Sequence, residues 1–518
     1  MASSNPIPVN PRPSDLTFGV ELEFLVPYLG SGDADPHGDV AGLPPVIRVD
    51  PGESPKIIVT EILEKLFDKH GLPTRITPRM HKHTNFYVNN MIQHLGSWDI
   101  THDITLQEFE MNEYKWMSVE VRSPAERNIS VAFDALEYAR NLIISTYRTR
   151  VNLTCGLHVH VGSCAEFFPH GAVRRIAALS WATEHLLLTL CHPWRRANIY
   201  TETLRGNSRI ASNNLDEEKD HSETQRDGLI VSDETEICAQ YLATEVRHGE
   251  RPISWRERNS EVNTQAMVDR FIHTREEGHY EPFDDPALPV DPAPPPYDGM
   301  SLAGFVAARV AKATEKVTQA REAGTAPAPA PERTRRTPRI KSPHYTADML
   351  HALGPDDKRY AKSTLPLNTF VDQPKLGVWP GVARIYEAKS SCEIQWRLET
   401  SARGFVNFDG YRCDGFGAPM ARRTIEFRGA EGTLTPWVET WAKIVVGLVR
   451  FAIHAPVDRF LQVIEMCDVA EREDGRYDVV DLLEDMGLFA EAVQAEQKIK
   501  DNLTAWGLEY VDGGEAPH

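Results

Sequence analysis

Four short segments carry glutamate, histidine and arginine at alternating positions, and these residue types bind metal ions and phosphate. In the first, FGVELEF (residues 18–24), Glu21 and Glu23 alternate with apolar residues. Because a β-strand has a period of two, both carboxylates project from one face, about 6.5 to 7 Å apart. Neighbouring carboxylates repel each other unless a proton or a cation neutralises them. The segment therefore predicts an acidic strand face suited to a hard cation such as Mg²⁺.

The other three segments repeat this alternation. Their polar faces carry Glu120 and Arg122 (residues 117–122), His158 and His160 (156–162), and Glu426 and Arg428 (424–428). A half-buried strand with a solvated outer face explains any one of them equally well. A solvated face usually includes lysine, however, and these four segments contain none. If the strands share one sheet, four glutamates and two histidines crowd one surface, which favours a metal–phosphate site with arginine as the anion-binding group.

Composition narrows the class of protein. The chain has 518 residues and a formal net charge of −19, which argues against a general nucleic-acid binder. Its seven cysteines never form a C-x-x-C pair, which favours a reducing compartment. We find neither a signal peptide nor a stretch of about 18 to 20 apolar residues, so we expect a cytoplasmic protein without a membrane span.

The remaining sequence indicates how the four strands are held. Apolar periodicity predicts helices near residues 57–70, 131–147, 173–190, 437–453 and 480–499. A Gly-, Pro- and Asp-rich stretch at 28–55 predicts a long loop. Strands and helices together predict an α+β fold, a curved and mostly antiparallel sheet backed by helices.

A long insertion interrupts this domain. Residues 206–344 are mostly charged, polar and proline-rich, and they have too few apolar side chains to offset the entropy of ordering. We expect one catalytic domain from 15–205 and 345–457, a mostly disordered insertion at 206–344 with a helical pattern at 302–321, and a C-terminal helical extension at 458–518. The basic run at 333–341 is either a nuclear or docking signal or a solvated part of the insertion.

In order and approximate spacing, four motifs resemble those of the amidoligase family, a branch of the glutamine synthetase-like carboxylate–amine ligases. They are GVELEF (19–24), VEVRSP (119–124), CGLHVHV (155–161) and TIEFR (424–428), with a weaker fifth match at WDITHD (98–103). The resemblance covers residues 15–204 and 402–455. It implies a glutamine synthetase-like catalytic fold and an ATP- and Mg²⁺-dependent ligase that forms an amide through an acyl phosphate.

The resemblance also implies roles for individual residues. The implied metal ligands are Glu21, Glu23, Glu120, His158 and Glu426. Glu120 would thereby share in catalysis, Arg428 would grip the transferred phosphoryl group, and His158 would lie beside the nucleotide phosphate with His160 as a hydrogen-bonding support.

Other implied roles rest on weaker matches. Arg195, Arg196 and Asn198 would contact phosphate or substrate, although surface salt bridges explain the arginines equally well. Asp103 is a candidate base for the amine proton by elimination only, and a turn aspartate is the simpler interpretation. Arg122 departs from the family pattern, which usually has an uncharged residue there.

Two alternative functions stay open. The HVH sequence at 158–160 also suits a zinc- or iron-dependent hydrolase or oxygenase. A non-catalytic nucleotide-binding relative is the other alternative. For the ligase we expect a small-molecule or peptide carboxylate and an amine as substrates, with no nucleic acid and no membrane as partners. The identity of both substrates and the oligomeric state, a homo-oligomer included, stay open.

Overall fold

A computed structural model describes the chain over residues 16–74, 97–108, 114–163, 167–192, 195, 200–212, 335–337, 376–389, 391–400, 403–411, 424–472, 476–503, 506 and 511–512. The strands in these parts are β1 (Thr17–Gly30), β2 (Ile47–Val49), β3 (Asp99–Thr101), β4 (Lys115–Arg122), β5 (Glu126–Arg127), β6 (Gly156–Gly162), β7 (Arg335–Arg336), β8 (Val406–Asn407), β9 (Ile425–Glu431) and β10 (Val511–Asp512). The helices are α1 (Pro55–Lys69), α2 (Ser130–Thr146), α3 (His170–Leu187), α4 (Leu204–Asn207), α5 (Arg209–Ser212), α6 (Val378–Tyr386), α7 (Ser391–Leu398), α8 (Trp437–His454), α9 (Val457–Arg472), α10 (Val479–Asp485) and α11 (Phe489–Asn502).

Eight of the strands form one sheet in the order β3-β4-β1-β6-β9-β8, with β2 and β5 also paired to β1. Every pairing except β1 with β2 is antiparallel. The fold is therefore α+β with a mostly antiparallel sheet, as the sequence predicts. All four predicted charge-bearing strands belong to this sheet, and β1 lies between β4 and β6.

The apolar residues of each strand face a layer of helices. Val20 and Leu22 of β1 are 1% exposed, and Val119 and Val159 on the neighbouring strands are completely buried. Helix α8 lies against β1 and β6, and α1 lies against β3 and β4. The Phe133 ring of α2 stacks on Phe18 at a centroid distance of 4.5 Å. Burial of these apolar side chains is the main force that holds the sheet against its helices.

Four of the five predicted helices are confirmed within a few residues, as α1, α2, α3 and α8. The fifth prediction, one helix over 480–499, is wrong because the chain forms two helices there. Gly487 ends α10 with φ of 77°, a left-handed conformation that glycine adopts without steric cost. Its N–H bonds to Glu484 O and the N–H of Leu488 bonds to Leu483 O, which satisfies carbonyls at the end of α10. The apolar period continues across the break because both helices bury one face.

The C-terminal helices pack on the same core as the sheet. Arg205 Nη2 lies 2.6 Å from Glu471 Oε1 of α9, and Lys498 of α11 pairs with Glu431 at the end of β9. Side chains of α9, α10 and α11 belong to the same buried cluster as those of β1 and β6. The helical character predicted after residue 457 is thus present in the described residues.

The predicted loop at 28–55 is fully described, whereas the predicted insertion is described only in part. β1 continues to Gly30, and β2 pairs with it in parallel, so the loop is shorter than predicted. Within the insertion, residues 335–336 pair with 511–512, and the Thr337 N–H donates to Asp478 Oδ2 at 2.8 Å. Residues 206–212, at the start of the predicted insertion, are also described and lie in or between α4 and α5. The remaining residues of the insertion, including the predicted helix at 302–321, lie outside the described residues. In the described parts of the chain, no helix has both the length and the apolar character needed to cross a membrane.

Candidate functional site

Strand register places the charged residues side by side in rows across the sheet. One row runs Asp99, Arg122, Glu21 and His158, on β3, β4, β1 and β6. A second row runs Thr101, Glu120 and Glu23. A third runs Gly19, His160, Glu426 and Asn407, on β1, β6, β9 and β8. Residues directly opposite each other in a sheet project from the same face, so the rows converge on one surface.

This polar surface is buried. Glu21, Glu23 and Glu120 are 7%, 4% and 4% exposed, and His158 is 2% exposed. The interpretation of these strands as ordinary sheet with a solvated outer face is therefore wrong. Burial of a carboxylate without a proton, a hydrogen-bonded partner or a cation is strongly unfavourable. The surface must consequently be neutralised, and its contacts show how the protein does part of this.

Both histidines contact Glu21. His158 Nδ1 lies 3.0 Å from Glu21 Oε2, and His160 Nε2 lies 3.1 Å from Glu21 Oε1. Glu426 Oε1 lies 3.8 Å from the same two ring nitrogens. Ligand atoms of Glu21, His160 and Glu426 all lie within 4.8 Å of one another, a spacing at which they could share a metal ion. The family resemblance implies that His158 is the histidine at the metal, whereas this trio contains His160.

Two arginines on the strands neutralise the carboxylates. Arg122 Nε lies 2.7 Å from Glu120 Oε1 and 3.4 Å from Glu21 Oε1, and its Nη1 lies 3.6 Å from Asp99 Oδ2. On β9, Arg428 Nη1 donates to Glu426 Oε1. Arg122 is thus a cation that joins three carboxylates.

A third arginine lies behind Glu23. Arg195 is 2% exposed, and its Nη2 donates to Arg428 O at 2.9 Å. Its charge and that of Glu23 act on each other, although burial has the larger effect on both pKa values. Glu23 Oε2 also accepts the Gly156 N–H at 2.6 Å, and Glu23 Oε1 lies 3.6 Å from His158 Nε2. Arg195 is therefore part of the buried site, whereas Arg196 and Asn198 lie outside the described residues.

Burial shifts the pKa values of several site residues. It raises the pKa of Glu23 to about 8 and, with help from Glu21, that of Glu120 to about 7. Burial, together with the Arg428 charge, lowers the pKa of His158 to about 4, so its imidazole is neutral at pH 7. Burial would raise the pKa of Glu426, but His160 and Arg428 hold it at about 2. Metal binding requires a neutral imidazole and deprotonated carboxylates, so a cation bound here would displace the protons that Glu23 and Glu120 hold near pH 7.

Supporting residues hold this arrangement in place. The amide of Asn407 donates from Nδ2 to Glu426 Oε2 at 3.1 Å, while its Oδ1 accepts from the Asp409 N–H at 2.8 Å. His160 Nδ1 lies 3.2 Å from Thr424 Oγ1. Sequence reasoning missed Asn407, the last residue of β8, because a strand of two residues has no alternating pattern to reveal it.

Asp103 has a turn role and lies near the site. Its Oδ1 accepts the Thr105 N–H at 2.7 Å, which is the hydrogen bond of an Asx turn. Its charge is also among the lesser contributions that raise the pKa values of Glu23 and Glu120, after burial. Asp103 therefore stabilises a loop at the edge of the site, and its role as a base stays a prediction.

Part of the chain is similar to a known protein family. Residues 14–270 match the model of a family described as "Putative amidoligase enzyme". No curated protein and no solved structure matches the chain. The matched residues include the site residues of β1, β4 and β6, whereas Glu426 and Arg428 lie beyond them. The chain belongs to the amidoligase family, a family of ligase-type enzymes.

Proposed function

We propose that this protein is an ATP- and Mg²⁺-dependent carboxylate–amine ligase built on a glutamine synthetase-like catalytic sheet. In the proposed reaction a carboxylate oxygen attacks the γ-phosphorus of ATP, ADP leaves, and an acyl phosphate remains. An amine nitrogen then attacks the acyl carbon, phosphate departs with the electrons of the broken C–O bond, and the amine loses a proton. The observation that supports this most directly is the convergence of Glu21, His160 and Glu426 beside Arg428.

The donor set fits a hard divalent cation. Oxygen atoms predominate, because Glu21, Glu23, Glu120 and Glu426 surround the site with the two histidines. Mg²⁺ prefers carboxylate oxygens and usually reaches phosphate oxygens at the same time. The chemistry supplied by a bound Mg²⁺ would be neutralisation of phosphate charge during phosphoryl transfer. Glu21, Glu23, Glu120 and Glu426 would hold it, with His158 or His160 as the nitrogen ligand.

The residues of the chain supply binding and charge around this ion. The Arg428 guanidinium has a planar fork that matches phosphate oxygens, and its Nε is buried without a hydrogen-bond partner among the described residues. Arg195 Nε is also buried without such a partner, which leaves a second cationic donor for an anion. Each would stabilise charge that builds up on a phosphoryl group in a site from which water is largely excluded.

One observation favours a second candidate, an iron- or zinc-dependent hydrolase or oxygenase. Glu21 lies within 3.1 Å of both histidines, which gives the ligand types of a 2-His-1-carboxylate iron site. Three further glutamates on the same face exceed the needs of such a site, and carboxylates prefer harder cations. Tightly held iron or zinc in the purified protein would favour this candidate, whereas weak and exchangeable Mg²⁺ would favour the ligase.

Hydroxylamine trapping tests the ligase. Purified protein is given Mg²⁺, ATP, hydroxylamine and pools of amino acids, peptides and other carboxylic acids, and hydroxamate and phosphate are measured. We expect hydroxamate that depends on ATP and falls at least a hundredfold in Glu21→Gln, since removal of a metal-site charge removes transition-state stabilisation of about that size. Glu137→Gln is the matched control, because Glu137 is exposed on α2 and should leave turnover unchanged.

Binding measurements decide the case in which no hydroxamate forms. Calorimetric titration of the same sample with Mg²⁺ and ATP requires no knowledge of the acid substrate. Absence of any Mg·ATP binding would refute the ligase, and the metal content would then test the hydrolase or oxygenase. Mg·ATP binding that Glu21→Gln abolishes and Glu137→Gln preserves would support the proposed nucleotide site.

A further inference from the structure

A small polar cavity adjoins the candidate site. Its volume is about 180 Å³, and it lies between α7, β8 and the 3₁₀ turn Asp409–Tyr411. The polar side chains of its lining belong to Gln395, Glu399, Thr400, Arg403, Asn407 and Asp409. Ligand pockets for drug-sized molecules usually measure about 300 to 1,000 Å³, so this cavity suits a smaller molecule.

One side chain connects the cavity to the candidate metal cluster. Asn407 lines the cavity, donates to Glu426 Oε2 at 3.1 Å and accepts the Asp409 N–H at 2.8 Å. Both ends of its amide are therefore engaged, which fixes its orientation. A molecule in the cavity would be separated from Glu426 by this one side chain, with Asp409 next to it.

The charges of the lining are unevenly balanced. Glu399 accepts two bonds from Arg209, at 3.1 Å from Nε and 2.6 Å from Nη2, so its charge is neutralised within the protein. Among the residues that the structure describes, the Asp409 side chain accepts one hydrogen bond, from the neutral Gln395 amide to Oδ1 at 3.3 Å. Arg403 has an exposed side chain, while its backbone O accepts the Glu202 N–H at 3.0 Å. Within the described parts of the chain, one carboxylate (Asp409) and one guanidinium (Arg403) thus have no charged partner at the cavity.

A buried hydroxyl in the lining also lacks a partner. Thr400 Oγ1 is inaccessible to solvent and has no hydrogen bond to any residue that the structure describes. Buried polar atoms are nearly always hydrogen-bonded, so this hydroxyl is an exception in the segment beside the cavity. Gly404 contributes to the tight wall, because a Cβ there would lie 2.9 Å from Val406 O.

We propose that this cavity binds the amine substrate and that this substrate is a free α-amino acid; the assignment rests on the proposed ligase function. Asp409 would bind its ammonium group and Arg403 its carboxylate. Asp409 lies close to Asn407, the residue that contacts Glu426. The negative charge of Asp409 repels an incoming carboxylate and attracts a cation. The reacting acid therefore belongs on the Arg428 side, and the amine on the Asp409 side.

Kinetic measurements with two kinds of amine, each supplied separately, test this proposal. The full-length protein is given Mg²⁺, ATP and the acid identified by hydroxamate trapping, first with hydroxylamine and then with each of the twenty amino acids, and product mass and phosphate are measured. Loss of a charge-assisted hydrogen bond reduces affinity about tenfold to a hundredfold. We expect Arg403→Gln and Asp409→Asn to lower kcat/KM for the amino acid at least ten times more than kcat/KM for hydroxylamine.

Controls separate a binding role from a structural one. Arg127→Gln removes an exposed arginine on β5, outside the cavity, and should change neither value. Arg403→Gln should leave the unfolding temperature nearly unchanged, because the Arg403 side chain is exposed. Equal losses for both amines, or no loss for either, would overturn the assignment.

A binding measurement covers failure of the ligase proposal itself. If the native chain forms no hydroxamate, calorimetry with each amino acid still reports on the cavity. Binding that disappears in Arg403→Gln and persists in Arg127→Gln would support the amino-acid site without ligase chemistry. No amino-acid binding to the native chain would overturn it, whatever the outcome for ATP.

Discussion

Replacement of Gly156 by alanine tests whether the site depends on close approach to the backbone at the start of β6. A Cβ at this position would lie 2.5 Å from His158 Nε2, 2.9 Å from Arg195 Nη2 and 3.1 Å from Glu23 Oε2. The shortest ordinary van der Waals distance is about 3.4 Å, so the His158 ring would have to move about 0.9 Å away from the new methyl group. The methyl group would also crowd the carboxylate that accepts the Gly156 N–H.

The size of the effect follows from these contacts. An extra carbon in a closely packed site typically costs about 1 to 3 kcal/mol of unfolding free energy. A displacement of about 1 Å in a catalytic group can lower turnover about a hundredfold. We therefore expect Gly156→Ala to lower the unfolding temperature modestly, to weaken Mg²⁺ binding measured by calorimetry, and to lower ATP-dependent hydroxamate formation about a hundredfold.

Gly19→Ala is the matched control on the neighbouring strand. A Cβ at Gly19 would find its nearest atom at 3.7 Å, which is ordinary contact, and Gly19 lies opposite His160 in the same sheet. This variant should retain Mg²⁺ binding and turnover. If the two variants behave alike, or if Gly156→Ala binds Mg²⁺ as the native chain does, then the dense packing around His158 is not needed for the site.

Two further predictions concern stability. Arg140 of α2 donates to Glu439 of α8 at 2.8 Å, and both side chains are buried, so Arg140→Met should cost about 3 to 5 kcal/mol by leaving a carboxylate unpaired. The double variant with Glu439→Leu should recover much of this loss, and failure to recover in chemical denaturation would contradict the reasoning. Burial and the Arg174 charge lower the pKa of His170 to about 3. The unfolded chain binds this proton near pH 6.5 and the folded chain does not. Stability should therefore fall by up to about 1.4 kcal/mol per pH unit as pH decreases from 6.5 towards 3. His170→Gln keeps an acceptor for Arg174 and should reduce this slope in thermal melts, whereas an unchanged slope would exclude His170 as its cause.

The sequence by itself determined which residues share a face of each strand. The period of a strand is local, so the alternation in residues 18–24 and 156–162 predicts the pairing of Glu21 with Glu23 and of His158 with His160 on one face. Helix positions follow from the same kind of local pattern, which is why four of five were confirmed. The break at Gly487 was missed because the apolar period continues through it.

Only the tertiary structure decided which of these faces meet and how they are neutralised. Glu21 and His158 are 137 residues apart, and His160 and Thr424 are 264 apart, so their contacts depend on strand register and not on any local period. Burial of the charged face, the three contacts of Arg122 and the bridging role of Asn407 likewise depend on strands that are distant in the sequence. Register is fixed by burial of the apolar face against the helices, and that long-range packing brings the dispersed charges into one site.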